Sequence, residues 1–323
     1  MNTMNYLEAG KRALAEEMRR DRTVWALGED LGRGGVFGQY RGLAGEFGAS
    51  RIVDTPISEA GIMAAAVGAA MTGTRPVVEM RFSDFALCAV DELVNQAAKA
   101  RYMFGGQTTV PLVVREPIGM WRSSAAQHSQ SLEAWYVHIP GLVVVAPATP
   151  ADNYGLLKSA IRCDDPVVYM EHKNLWALEG EVPAVEGALP LGKARTARVG
   201  EVLTVVTWSA ALHVCLKAAD KLARDNLEVE VIDLRTLWPW DREAVLTSVE
   251  STGRCLIVHE AVQVAGFGAE IAAVVGEECF GRLNAPVRRL GAPRVPVPYS
   301  PPLEAQLALT VEKVEAAMRG MVG

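Results

Sequence analysis

The run Asp54-Thr55-Pro56-Ile57-Ser58-Glu59-Ala60-Gly61 joins two kinds of sequence. Before it, residues 51–54 are short and strand-like. After it, Ala60, Gly61, Ala64, Ala65, Ala66, Gly68, Ala69 and Ala70 crowd a helical run of small residues. Pro56 biases Thr55 away from helix, so the helix is predicted to start beyond it. Ser58 suits the N-cap, which places Glu59 in the first turn, at the positive end of the helix dipole. A helix this bare of bulk lets other backbone approach closely. A carboxylate at a strand-to-helix corner, backed by such a helix, points to a site at a tight interface. A first-turn glutamate is also a common helix-end device, so the surroundings must decide.

Outward from this corner, strand and helix alternate. Strands are predicted at 24–27, 52–54, 76–81, 110–115, 142–146 and 166–171, and helices at 7–20, 59–71, 90–102 and 151–161. The strands are near-continuous apolar runs, as buried parallel strands are. This alternation predicts an α/β fold with a doubly wound, mostly parallel sheet covered on both faces. The pattern lapses among glycine, proline and glutamate after residue 175, so 1–178 is expected as one domain and 179–200 as a linker. A second, smaller α/β domain is expected over 201–323, with strands at 203–208, 229–234, 255–259 and 287–290.

The chain has 323 residues, 50% of them hydrophobic and 22% charged, with a net charge of −6. That is an ordinary globular composition of two-domain length. No basic stripe suits nucleic acid. No apolar run reaches the roughly 18 residues of a membrane span, and the first residues lack a signal-peptide core. The 5 cysteines are scattered without a CxxC pair, which fits reduced thiols in a cytoplasmic protein.

In open α/β sheets ligands lie beyond the carboxyl ends of the strands. Three candidates fall there: Glu59, the Phe82–Asp84–Phe85 cluster, and the polar stretch 116–130 with Trp121, Arg122 and His128. His128 is the best proton-transfer group of that stretch. The glycine-rich run 32–38 matches neither a P-loop nor GxGxxG and reads as a surface loop. Gly266-Phe267-Gly268 reads as a tight turn into a helix, suited either to an anion or to close packing. No GxSxG elbow occurs, which argues against a serine hydrolase.

These residues stand in longer blocks: GED (28–30), DTPISEAG (54–61), RPVVEMRFSDF (75–85), VNQAAKARY (94–102), AAQHSQSLEAW (125–135), VEVIDLRTLWPWD (229–241), HEA (259–261) and GFGAEIA (266–272). In this the chain resembles the β subunit of the thiamine-diphosphate-dependent first component of 2-oxo acid dehydrogenase complexes. That group includes the pyruvate, branched-chain and acetoin dehydrogenases. The resemblance implies a transketolase-like pyrimidine-binding domain followed by a transketolase C-terminal domain. It implies that Glu59 hydrogen-bonds the aminopyrimidine of thiamine diphosphate and that Phe85 packs on that ring. It implies that His128 handles substrate and the lipoyl acceptor. It further implies a potassium ion at Ala160, Ile161, Cys163 and Asp165. Mg2+ is expected to be held mainly by an α subunit, since these 323 residues contain no Gly-Asp-Gly. The implied assembly is a heterotetramer of two α and two β chains that serves a lipoyl-bearing acyltransferase core. Trp121, Arg122 and Arg81 depart from a pyruvate enzyme and leave the substrate open. The alternatives are a transketolase-like half-enzyme for sugars and a non-catalytic scaffold.

Overall fold

The computed structural model describes residues 1–322. Its packing divides the chain into two compact units. The first comprises Met1–Ile118 and Trp135–Leu191, and the second Gly119–Ala134 and the chain from Gly192 onward.

In the first unit, β1 (Asn2–Asn5) leads into a helix, Tyr6–Arg20, whose start is fixed by a capping box between Asn5 and Glu8. The sheet is built from β2 (Val24–Gly28), β3 (Ile52–Asp54), β4 (Arg75–Glu79), β5 (Val113–Ile118), β6 (Val143–Val145) and β7 (Val167–His172). These strands are ordered β6-β7-β5-β4-β2-β3. All pairings among these six are parallel. The register lines up Ile52, Ala26, Val77, Val113, Val167 and Val143 in one row across the sheet. Five of the six are buried, as strands covered on both faces require. The parallel register also brings every carboxyl end to one edge.

Helix Glu59–Met71 begins where the sequence places it, and Ser58 is its N-cap residue. Ser58 makes no side-chain capping bond, however, so its hydroxyl does not hold the helix start. The segment expected as a 90–102 helix is a π-helical stretch, Asp91–Ala97, continued by an α-helix, Ala98–Met103. Residues within the expected connection form β8 (Glu179–Val182), which pairs antiparallel with β1.

A buried ionic group lies behind the strand ends. Arg115 Nε donates to Glu171 Oε2 at 2.8 Å and Nη2 donates to Oε1 at 2.9 Å. Glu79 Oε2 lies 3.5 Å from Arg115 Nη1 and accepts from the Tyr40 hydroxyl at 2.8 Å. One guanidinium thus faces two carboxyls. Burial pushes the Glu79 carboxyl up to about 7, against the pull of Arg115. In the unfolded chain Glu79 ionises near 4.5. Its contribution to stability is therefore full below that value and is lost as pH rises through about 7. Glu79→Gln should flatten the fall in melting temperature between pH 5 and 8, by up to roughly 3 kcal/mol of unfolding free energy. Parallel curves for the two proteins would contradict this.

In the second unit, β9 (Arg195–Arg198), β10 (Leu203–Thr207), β11 (Val229–Asp233), the short β12 (Thr236–Trp238), β13 (Cys255–Val262) and β14 (Arg288–Ala292) follow in order. Its sheet runs β14-β13-β10-β11-β9, with β9 as an antiparallel edge strand on otherwise parallel pairings. Helices Ala211–Ala223, Arg242–Thr252, Gly268–Glu278 and Val311–Val322 complete the alternation. No helix among the described residues is long and apolar enough to cross a membrane.

Candidate active site

Three strands end side by side at the carboxyl edge of the first unit. β3 leads to Glu59, β2 to Glu29 and Asp30, and β4 to Arg81 and the Phe82–Phe85 turn. β2 lies in the middle, and Gly28 makes that possible. Its backbone is in the left-handed region (φ 156°), and a Cβ there would come within 2.7 Å of the Glu79 carbonyl. Asp54, ahead of the helix, accepts a 2.7 Å hydrogen bond from the Gly32 amide and so ties the glycine-rich run to the corner.

Glu59 is half-buried as the first residue of its helix. Arg81 donates to Glu29 Oε2 at 3.2 Å and to Asp30 Oδ2 at 3.0 Å. Burial raises the Glu29 carboxyl; Arg81 pulls it down, and the nearby Glu59 raises it again. Glu59 therefore sits in an acidic group that one guanidinium partly neutralises. Thr55 Oγ1, just upstream, is buried with no hydrogen-bond partner among the described residues.

Phe85 is also half-buried and meets Phe82 edge to face, with centroids 5.6 Å apart. Phe82 contacts Phe37, whose ring lies 4.0 Å from that of Trp176. The buried Lys173 ammonium lies 4.8 Å above Phe82. Phe37, Trp176 and Lys173 were not singled out in the sequence, because only the folded sheet brings 37, 82 and 173 together.

His128 lies in the second unit, on the loop Gly119–Ala134. The loop is a chain of turns. Gly119 N donates to Gln130 O at 3.3 Å, Ser124 N to Trp121 O at 3.0 Å, and His128 N to Ala125 O at 3.4 Å. Three non-glycine residues, Arg122, Ser123 and Ala125, have φ between 49° and 63°. A cavity of about 540 Å³ opens beside it, lined by Met120, Ser129, Gln130, Glu260, Arg294 and Leu307 among others. His128 is half-buried and is not one of the lining residues. Glu59 and Phe85 thus belong to one unit and His128 to the other.

The groups expected to hold potassium lie at the end of helix Pro150–Arg162. Each already has a partner. Arg75 Nη1 donates to Ile161 O at 3.1 Å and to Cys163 O at 3.0 Å. Ala160 O accepts from Cys163 N at 3.2 Å, and Asp165 pairs with Arg101 at 2.6 Å. The positive charge favoured at a helix C-terminus is thus supplied by arginine. A carbonyl oxygen has a second lone pair, so the carbonyls can still accept a hard cation.

The Gly266-Phe267-Gly268 turn resolves in favour of close packing. A Cβ at Gly266, Gly268 or Gly291 would lie 2.8–2.9 Å from a carbon of the His259 ring. His259 is fully buried, and burial lowers it to about 4, so it is neutral at pH 7. Its Nδ1 lies 3.1 Å from Ala261 O. A carbonyl can only accept, so Nδ1 carries the proton.

This pair of α/β units is that of the transketolase-like proteins, as two family matches show. Residues 2–177 match the family described as "Transketolase, pyrimidine binding domain", and residues 192–314 match "Transketolase, C-terminal domain". The split-gene transketolase known as an inactive beta4 tetramer has the same fold, with a TM-score of 0.81 over 98% of this chain and 97% of that one at 22% identity. Among curated relatives, the 2-oxoisovalerate dehydrogenase subunit beta of Bacillus subtilis is 44% identical over 99% of this chain and 98% of its own length. The acetoin:2,6-dichlorophenolindophenol oxidoreductase subunit beta of Cupriavidus necator is 44% identical over 95% and 94%. The pyruvate dehydrogenase E1 component subunit beta of Rhizobium meliloti is 44% identical over 99% of this chain and 70% of its own. The chain belongs to the family of β subunits of thiamine-diphosphate-dependent 2-oxo acid and acetoin dehydrogenases.

Proposed function

We propose that this chain supplies the pyrimidine-binding half of a two-chain active site that oxidises a 2-oxo acid or acetoin and passes the acyl group to lipoamide on an acyltransferase core. One observation carries the reading: Glu59 stands half-buried at the carboxyl edge of the sheet, beside the Arg81–Glu29 pair and downstream of an unpartnered Thr55 hydroxyl. The residues present fit one end of thiamine diphosphate. A carboxyl that can hold or share a proton faces the chemistry of a pyrimidine nitrogen, and Phe85, backed by Phe82, offers an aromatic face. When bound, the cofactor supplies the electron sink for breaking a bond next to a carbonyl.

The protein's part is to bind, orient and move protons. Glu59 would hold a proton at a ring nitrogen, and the charge of Arg81 keeps the neighbouring Glu29 and Asp30 paired. His128 would act on substrate and on the acyl acceptor. Mg2+ and the diphosphate would be held mainly by an α subunit in a heterotetramer of two α and two β chains, in the cytoplasm, with neither nucleic acid nor membrane as partner. Potassium would share the Ile161 and Cys163 carbonyls with Arg75. Melting should then occur at a higher temperature in potassium than in equal choline, and identical transitions would remove the ion site.

The function is tested by assembling the chain with its α subunit, magnesium and thiamine diphosphate. Pyruvate, branched-chain 2-oxo acids and acetoin are each supplied with lipoamide. Turnover of at least one of them with reduction of lipoamide is expected. Activity confined to ketol transfer between phosphosugars would overturn the reading.

A further inference from the structure

The second unit carries buried polar and aromatic groups that the proposed reaction does not use. His259 and Glu260 are consecutive on β13, so their side chains leave opposite faces of the strand. Glu260 holds one end of the His128 loop directly, and His259 backs the residue that holds the other. Glu260 Oε1 accepts a 2.8 Å hydrogen bond from the Met120 amide, near the start of the loop. His259 stacks on Trp208, with centroids 5.2 Å apart and planes 19° from parallel. Trp208 Nε1 donates at 3.0 Å to Glu133 Oε1, at the loop's end. Trp208, Glu133 and His259 are each at most 2% exposed. Gly266, Gly268 and Gly291 leave just the room the imidazole needs, so the ring is closely packed behind Trp208.

The loop between these two fastenings holds three non-glycine residues in the left-handed region. Such conformations persist only where the surroundings over-determine them. The Gly119–Gln130 hydrogen bond closes the loop's base, but nothing in that bond fixes where the loop stands on the second unit. The two contacts from β13 and Trp208 tie both of its ends to that unit.

We infer that Glu260 and the His259-backed Trp208 are a two-point clamp on the loop Gly119–Ala134, and that they are positioning residues for His128. This rests on the role given to His128 above. It also gives the HEA block, the GFG turn and the tryptophan at 208 one shared task.

The test uses the assembled enzyme. Trp208→Phe keeps an aromatic ring on His259 and removes the N–H donor together with the smaller ring of the buried indole. Glu260→Ala, read in parallel, removes the other fastening. Acyl transfer to lipoamide is measured in single turnover, in the wild-type and in the His128→Ala background. Cleavage by trypsin after Arg122, an exposed loop residue, is followed in the same proteins. Leaving a buried acceptor without its donor is worth roughly tenfold. Trp208→Phe is therefore expected to slow transfer about tenfold with unchanged cofactor affinity, and to slow the His128→Ala enzyme less than twofold. Groups that act as a unit show such non-additivity. Tryptic cleavage should quicken in both clamp variants. An equal slowing in the two backgrounds would overturn the inference, as would cleavage no faster than in the unaltered enzyme. If His128→Ala alone leaves transfer unchanged, the role of His128 falls, and the tryptic rates still decide whether the clamp exists.

Discussion

Glu59→Gln in the assembled enzyme should lower turnover by roughly 10²–10⁴-fold, the range that a positioned proton-transfer group supplies. The substitution is nearly isosteric, and Glu59 is only half-buried, so the helix Glu59–Met71 should form as before. Loss of its charge from the first helical turn costs a few tenths of a kcal/mol, too little to shift folding appreciably. What the amide cannot do is hold and release a proton. The neighbouring Glu29 cannot replace it, because Arg81 already claims that carboxylate. Steady-state turnover and circular dichroism on the same preparation separate the two effects. Near-normal turnover with an intact fold would refute the assignment of Glu59.

The corner that carries Glu59 was legible because its determinants are local. Pro56 and the run of small residues mark the helix, and both β3 (Ile52–Asp54) and Glu59–Met71 fall where expected. The fifth strand was expected at 110–115 and stands at Val113–Ile118. A strand buried on both faces has no alternation to fix its ends. Here they are set by pairing with β7, from Val113↔Val167 to Ile118↔His172. β8 was read as connection because Glu-Gly-Glu-Val has no apolar pattern, and its partner β1 is equally polar. The setting of the His128 loop was out of reach. Its fastenings join residues 75 and 140 positions apart, and no local pattern encodes such pairs. The same holds for Arg75, whose guanidinium meets helix-end carbonyls 86 and 88 residues away.

The second large effect concerns the chain by itself. Thiamine diphosphate carries a diphosphate that is bound through a divalent ion, and magnesium demands oxygen ligands in near-octahedral geometry. The sequence contains no Gly-Asp-Gly, and no group of three or more His, Cys, Asp or Glu side chains suited to a metal occurs among the described residues. In the proposed site Glu59, Phe85 and Thr55 would address only the pyrimidine end. A cofactor held by one end loses most of its binding free energy, since the ordering cost of association is met by the contacts of both ends together.

The central claim, that this chain is half of a shared site, is most directly tested by titrating thiamine diphosphate with magnesium into the purified chain, alone and after addition of its α subunit, in a calorimeter. The chain alone should give no stoichiometric heat and no decarboxylation of 2-oxo acids. The assembled protein should bind one cofactor per αβ pair and turn over. Stoichiometric binding and turnover by the chain alone would contradict the account.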